Sequence, residues 1–182
     1  MRELSLNVLD IAENSVAANA TLIEINIRAK SNILVIEVKD NGKGMTSEFL
    51  NRVTDPFTTT RTTRDVGMGL PLFKQAAELS GGRFQIDSQV GKGTNVYAEF
   101  QIDHLDRMPL GDIGETVSAL IMTAPHIDYI FHYSVEDASF TLDTREVKET
   151  LDGIPIESIE VTAYLREFLK GNITETNGGI AL

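Results

Sequence analysis

The stretch that most constrains the fold is an alternating segment that ends in an acid and two glycines. Residues 34–39 alternate between apolar and polar side chains, which predicts a half-buried β-strand. Asp40, Gly42 and Gly44 follow directly, at alternate positions. A carboxylate there can accept a hydrogen bond from an exocyclic amine, and residues without a Cβ let a flat ring such as adenine lie against the main chain. The same pattern also fits an ordinary turn or a calcium-binding loop.

The composition indicates a globular protein with an acidic surface. The 182 residues are enough for one domain with a small appendage, and the net charge of −11 argues against a nucleic-acid partner. The absence of cysteine excludes disulfides, thiolate zinc sites and thiol catalysis. No segment has the length and apolar character of a signal peptide or a membrane span. We therefore expect a cytoplasmic protein without a membrane partner.

The first helix is predicted over residues 4–18, and it carries acids and an amide on one face. Its apolar stripe leaves Asp10, Glu13 and Asn14 on a neighbouring face, at spacings of three and four residues. These side chains fit a solvated surface. They also fit a site in which hard oxygen ligands hold Mg²⁺ and orient water.

Two further segments are candidates for contact with phosphate. After an antiparallel pair of strands at residues 22–39 and a short helix at 48–53, the threonine-rich segment 55–64 contains Arg61 and Arg64. This segment fits a mobile surface loop, or a lid whose arginines meet phosphate oxygens. Gly67, Gly69 and Leu70 then open the next helix, whose unpaired N–H groups and positive dipole end form a natural phosphate site.

The remaining chain is predicted to complete the sheet and then change character. Residues 83–100 form a hairpin whose turn supplies the hydroxyl of Thr94. We place a domain boundary at residue 105, so that residues 1–105 carry the motifs and residues 106–182 form a small extension. This extension is predicted to contain a hairpin over residues 129–143 and helices capped by Thr144 and Ser158, the last helix ending at Gly171. Few contacts are predicted to anchor residues 174–182 to the rest of the chain.

The order of these motifs resembles the GHKL superfamily of ATPases, which includes DNA gyrase, MutL, the heat-shock chaperone and histidine kinases. The resemblance covers roughly residues 4–102. Residues 67–94 are similar to the histidine-kinase version and residues 9–15 to MutL. The resemblance implies an α+β protein, a two-layer α/β sandwich known as the Bergerat ATP-binding fold, with helices on a mixed, mostly antiparallel sheet and ATP between the layers.

The resemblance also implies which residues contact the adenine ring. By position, Asp40 accepts a hydrogen bond from the adenine amine, in the turn that contains Gly42. Gly44 and Thr94 place the ring, and Met45 lies beneath it.

Further residues are implied to contact the phosphates, Mg²⁺ and the nucleophile. Asn14 holds Mg²⁺ through its amide oxygen, and Asp10 occupies the place where several relatives carry a glutamate that orients the attacking group. Glu13 is a substitute candidate, and a structural role fits either carboxylate. Backbone N–H groups and basic side chains bind the phosphates: Gly67, Gly69 and Leu70, with Lys43, Arg61 or Arg64.

The functional expectation rests on the freestanding members of this superfamily. The sequence has no histidine before His104, so we do not expect a phosphoacceptor histidine ahead of the motifs. The nearest analogues are the anti-sigma-factor serine kinases, which act on a protein partner. We expect a Mg·ATP-dependent protein kinase or ATPase in bacterial regulation. The alternative is a non-catalytic module in which ATP orders residues 58–66 for a partner. The identity of the partner and a homodimeric state are left open.

Overall fold

The computed structural model describes residues 3–53, 69–180 and 182, and in these ranges it contains a six-stranded sheet covered by helices. The strands are β1 (Leu22–Lys30), β2 (Ile33–Asp40), β3 (Phe84–Gln89), β4 (Gly93–Gln101), β5 (Asp128–Val135) and β6 (Ala138–Asp143). The helices are α1 (Leu4–Ala17), α2 (Ser47–Val53), α3 (Gly69–Leu79), α4 (Ile113–Thr123), α5 (Thr144–Thr150) and α6 (Ile159–Asn177).

The strand order is β3-β4-β2-β1-β5-β6, and neighbouring strands are antiparallel except for the parallel pair of β1 and β5. Ile25 lies in the middle of this sheet, in register with Val38 of β2 and Phe131 of β5. The predicted α+β class with a mixed, mostly antiparallel sheet is therefore confirmed. The two C-terminal strands continue the same sheet beyond β1.

The core lies between one face of the sheet and the helices. Ile23, Ile25 and Ile27 of β1 are fully buried, whereas the residues between them are partly exposed, as the alternating pattern predicts. Helix α1 packs against both α3 and α4, and Leu4 and Val8 on its buried face have no exposed surface. Burial of this apolar area supplies the main driving force for folding.

The last helix differs from its prediction. Helix α6 continues through Gly171 to Asn177, and Gly178 forms its C-cap with φ at 62°. A glycine inside a helix costs about 1 kcal/mol relative to alanine. Leu169 is fully buried before Gly171 and Ile173 packs on the core after it, so burial outweighs this cost.

The chain end and the helix caps also differ in part. Residues 174–177 belong to α6, and the carbonyl of Leu182 accepts a hydrogen bond from the N–H of Leu110 at 2.8 Å, so the predicted lack of anchoring at 174–182 is wrong. Asp143, and not Thr144, caps α5, because the Thr144 hydroxyl instead accepts from the N–H of Tyr129 at 2.8 Å. Ser158 occupies the N-cap position of α6, but its side chain makes no capping hydrogen bond.

Candidate nucleotide-binding site

Asp40 lies at the end of β2 and is held from three directions. One carboxylate oxygen, Oδ2, accepts a hydrogen bond from the Ser15 hydroxyl at 2.7 Å. The other, Oδ1, accepts from the N–H of Gly42 at 2.8 Å and from the N–H of Thr94 at 3.3 Å. The sheet register explains the last contact, because Asp40 and Thr94 are paired across β2 and β4. Helix α1, the turn after β2 and the neighbouring strand thus fix one carboxylate.

The carboxylate of Asp40 retains capacity for one more donor. An ionised carboxylate offers about four acceptor positions, and the contacts to Ser15, Gly42 and Thr94 use three of them. The side chain is only 8% exposed, so its orientation is set by the protein and not by water. The position on Oδ2 that no described residue uses suits an amine donor.

The glycines around Asp40 let three backbone segments approach one another. A Cβ on Gly44, whose φ is +64°, would lie 2.0 Å from the carbonyl oxygen of Gln89. A Cβ on Gly93, whose φ is +105°, would lie 1.9 Å from the carbonyl oxygen of Asp40. These positions require glycine because of the protein's own backbone. The turn after β2 is therefore packed directly against the turn between β3 and β4.

The residues after Gly42 are held by the ends of α1 and β3. The backbone N–H of Lys43 donates to the carbonyl of Ala18 at 2.9 Å, while its side chain is exposed. The N–H of Met45 donates to the hydroxyl of Ser88 at 2.9 Å, and this hydroxyl lies 2.9 Å from the hydroxyl of Thr94. Met45 and Thr94, which were predicted to contact the base, are thus joined through Ser88.

The beginning of α3 lies against the predicted catalytic face of α1. A Cβ on Gly69 would lie 2.9 Å from the Cβ of Asp10 and 3.1 Å from its Oδ2 atom. The N–H groups of Gly69 and Leu70 belong to the first turn of α3, where N–H groups have no partner within the helix. The positive end of this helix therefore adjoins Asp10.

Asn14 follows Asp10 by one helical turn, and both side chains are partly buried, whereas Glu13 is exposed. The described residues contain no cluster of three or more carboxylate, histidine or cysteine side chains that could hold a metal. Mg²⁺ in nucleotide sites commonly takes one or two protein ligands, and phosphate oxygens and water complete its six positions. The amide oxygen of Asn14, one turn after the residue that contacts the start of α3, fits such a role.

The structure brings the predicted residues together in two groups that α1 connects. Asp10 lies against the start of α3, Asn14 follows it one turn along α1, and the adjacent Ser15 holds Asp40 in the second group. The second group consists of the ends of β2 and β4 and the turn between β2 and α2: Asp40, Gly42, Lys43, Gly44, Met45 and Thr94. Arg61, Arg64, Gly67 and the predicted lid at 58–66 lie outside the described residues.

Two residues of the site were not predicted from the sequence, Ser15 and Ser88. Ser15 falls in the buried stripe of α1 with Val8 and Ile11, where a hydroxyl needs a buried partner, and this position was a usable signal. Ser88 alternates with exposed residues of β3 and gave no signal, because its partners Met45 and Thr94 meet it only in the folded sheet.

The model of the histidine kinase-, DNA gyrase B- and HSP90-like ATPase family matches residues 1–104. The chain belongs to this family. It is 32% identical over 107 residues to a sensor protein of Shewanella frigidimarina, and 31% identical over 91 residues to sporulation kinase D of Bacillus subtilis. These alignments cover 58% and 49% of this chain, and 16% and 18% of the relatives. The chain therefore spans less than a fifth of the length of these curated relatives.

Solved structures show the same fold at low sequence identity. The Aquifex aeolicus MutL ATPase domain complexed with ADP has a TM-score of 0.50 and is 18% identical, with 84% of this chain and 70% of that chain covered. The N-terminal domain of a DNA repair protein has a TM-score of 0.52 and is 14% identical, with 79% and 52% covered. These structures confirm the predicted fold, and the family match over residues 1–104 confirms the predicted superfamily.

The search for membrane-spanning segments was negative in the part of the chain that the structure describes. None of the helices there combines the length and apolar character needed to cross a bilayer.

Proposed function

We propose that the protein binds Mg·ATP between α1, the start of α3 and the ends of β2 and β4, and acts as a protein serine/threonine kinase or ATPase in bacterial regulation. The observation that carries this proposal is the buried carboxylate of Asp40, fixed by three donors and with one acceptor position that no described residue uses. ATP and Mg²⁺ are available in the cytoplasm, where we propose that the protein acts.

The adenine amine donates to the free position of Asp40 in this proposal. A buried carboxylate whose orientation is fixed discriminates strongly between a donor and an acceptor on the base, because an acceptor there leaves a buried charge facing a lone pair. Thr94 and Gly44 border the same turn, and Met45 supplies an apolar surface beside it.

The phosphates occupy the N-terminus of α3. The N–H groups of Gly69 and Leu70, which have no partner within the helix, and the positive helix end favour an anion there. The exposed side chain of Lys43 extends from the turn that carries Asp40 and can add a positive charge. We assign the same role to Gly67, Arg61 and Arg64 as a proposal from their sequence positions.

Asp10 and Asn14 are the residues proposed to act on the reacting group. The amide oxygen of Asn14 would hold Mg²⁺, which neutralises charge on the phosphates. The carboxylate of Asp10 accepts the proton of the attacking hydroxyl or water, whose oxygen bonds to the γ-phosphorus as the bond to the leaving ADP oxygen breaks. We favour Asp10 over Glu13 because Asp10 adjoins the N-terminus of α3 whereas Glu13 is exposed.

The fate of the γ-phosphate tests the proposal. Purified protein is incubated with γ-labelled Mg·ATP, alone and with extract of the source cell, and Asn14→Ala serves as the control. Label on another protein that disappears with Asn14→Ala identifies a kinase, and free phosphate alone identifies an ATPase. Asp10→Asn is expected to abolish turnover and keep ATP binding, whereas Glu13→Gln retains both. No ATP binding by the wild-type protein contradicts the proposal.

A nucleotide-gated binding module is the second candidate. The packing of Asp10 against Gly69 favours this second candidate, because a carboxylate held in a contact between two helices can have a purely structural role. In this case ATP binds without label transfer or phosphate release. Asp10→Asn and Glu13→Gln then leave the affinity for the partner unchanged.

A further inference from the structure

The negative charge of the protein is concentrated in its C-terminal part. Residues 106–182 contain 14 acidic and five basic side chains, so they carry nine of the eleven net negative charges. Residues 1–105, which hold the nucleotide site, are nearly neutral. Because nucleotide binding needs no acidic surface, the excess must be explained by solubility or by a partner.

An apolar groove lies within this acidic part and shares no lining residue with the nucleotide site. It has a volume of about 480 Å³, and we call it the C-terminal groove. Its apolar lining comes from β6, from α5 with its C-cap residue, and from α6: Leu142, Val147, Leu151, Val161, Leu165 and Phe168. Tyr164 also lines the groove and is 67% exposed, so the groove is open to the surface. Binding sites for small molecules usually enclose the ligand. An open apolar groove between two helices is better suited to the side chains of a protein segment.

The border of the groove carries two carboxylates that form no ion pair in the part of the chain that the structure describes, although Arg145 lies close enough to Glu146 for a weaker attraction. Glu146 and Glu160 line the groove, are exposed, and form no ion pair with another described residue. The three nearby basic side chains are already paired elsewhere on this part of the chain: Arg145 with Asp143 at 2.5 Å, Lys148 with Asp128 at 2.7 Å and Arg166 with Glu115 at 3.0 Å.

We propose that the C-terminal groove binds a short cationic segment of a partner protein, with apolar side chains in the groove and lysine or arginine side chains at Glu146 and Glu160. A second copy of this chain does not fit, because it would bring another nine net negative charges to the same surface. An anionic membrane is disfavoured for the same reason. The proposal is independent of ATP turnover.

The test uses a displayed library of random short peptides selected on the full-length chain. We expect enriched peptides to combine two or more large apolar residues with lysine or arginine. The double variant Glu146→Lys/Glu160→Lys should bind these peptides about tenfold more weakly, because two attractive contacts become repulsive. Fluorescence anisotropy with synthetic copies of the enriched peptides measures this ratio.

Matched variants separate the groove from general charge attraction. Glu149→Lys/Glu167→Lys makes the same charge change on α5 and α6 at exposed positions that do not line the groove, and we expect less than a twofold effect. Equal losses in both double variants would overturn the proposal, as would no enrichment or enrichment of peptides without basic residues.

The apolar contact has its own pair of variants. Tyr164→Ala removes a groove residue, whereas Ile159→Ala removes an exposed residue of the same helix that does not line it. Only the first should weaken binding of the selected peptides. ATP affinity is measured on every variant and should stay unchanged, so failure of the groove and failure of the nucleotide site are distinguishable.

Discussion

Substitution of Asp40 by asparagine changes the chemistry of the nucleotide site with little change of shape. In the native protein Oδ1 accepts from the N–H groups of Gly42 and Thr94 and Oδ2 accepts from Ser15. The amide oxygen of asparagine can keep the first two contacts. Its NH₂ group replaces Oδ2 and donates to the Ser15 hydroxyl, which can accept as well as donate. We therefore expect the fold to persist.

The same substitution places a donor where the proposed adenine amine is also a donor. A hydrogen bond to a charged group contributes about 1.5–3 kcal/mol, and its loss corresponds to a reduction in ATP affinity of roughly 10- to 150-fold. Inosine triphosphate carries a carbonyl where ATP carries the amine, and this carbonyl can accept from the new NH₂ group. We expect Asp40→Asn to bind ITP more tightly than the wild-type protein does.

Isothermal titration with ATP and ITP, in the presence of Mg²⁺, measures both affinities on each protein. Asp87→Asn makes the same chemical change at an exposed position of β3 and should leave both unchanged. Thermal unfolding of each variant checks the fold. If Asp40→Asn is folded and retains wild-type affinity for both nucleotides, Asp40 does not contact the base and the reasoning is refuted.

Gly69→Ala should lower the free energy of unfolding by about 1–3 kcal/mol and weaken ATP binding, because the new Cβ would lie 2.9 Å from the Cβ of Asp10. Gly171→Ala should raise the free energy of unfolding by about 0.5–1 kcal/mol, because a Cβ at this position meets no atom within 4 Å. Denaturant titrations that give similar changes for the two variants would contradict both expectations. Tyr129 tests the effect of pH: burial raises its pKa to about 12, whereas the unfolded chain releases this proton near pH 10. The native state then binds more protons than the unfolded state, so stability falls as the pH rises from about 10 to 12, by up to about 3 kcal/mol. Tyr129→Phe should reduce this loss of stability at high pH. The part due to Tyr133 should remain, because burial also raises the pKa of Tyr133. An unchanged pH dependence of stability in Tyr129→Phe would show that Tyr129 does not cause the loss.

Much of the fold could be predicted because local pattern and tertiary burial agree. The alternation at Ile23, Ile25 and Ile27 fixes which face of β1 is buried, and both hairpins follow from short turns between alternating segments. The parallel pairing of β1 with β5 is different. It joins segments about a hundred residues apart, and it depends on tertiary packing such as that of α6 on β5 and β6. No local signal encodes that choice.

The site shows the same division between local and distant information. The turn from Asp40 to Gly44 and the start of α3 at Gly69 are recognisable because short glycine patterns have few structural solutions. The hydrogen bond from Ser15 to Asp40 crosses from α1 to β2, and the bond between Ser88 and Thr94 depends on the hairpin register. Contacts of this kind follow from tertiary packing, and no characteristic spacing in the sequence indicates them.

The sheet register places the C-terminal groove at the same end of the molecule as Asp40. Asp40 pairs with Ile23, Ile23 pairs with Tyr129, and the next residue of β5 pairs with Asp143 at the groove. Three strand spacings separate β2 from β6, or about 14 Å. A partner segment in the groove would therefore lie near the same strand ends at which the nucleotide is proposed to bind. A partner anchored there needs only a few further residues of extended chain to reach that site.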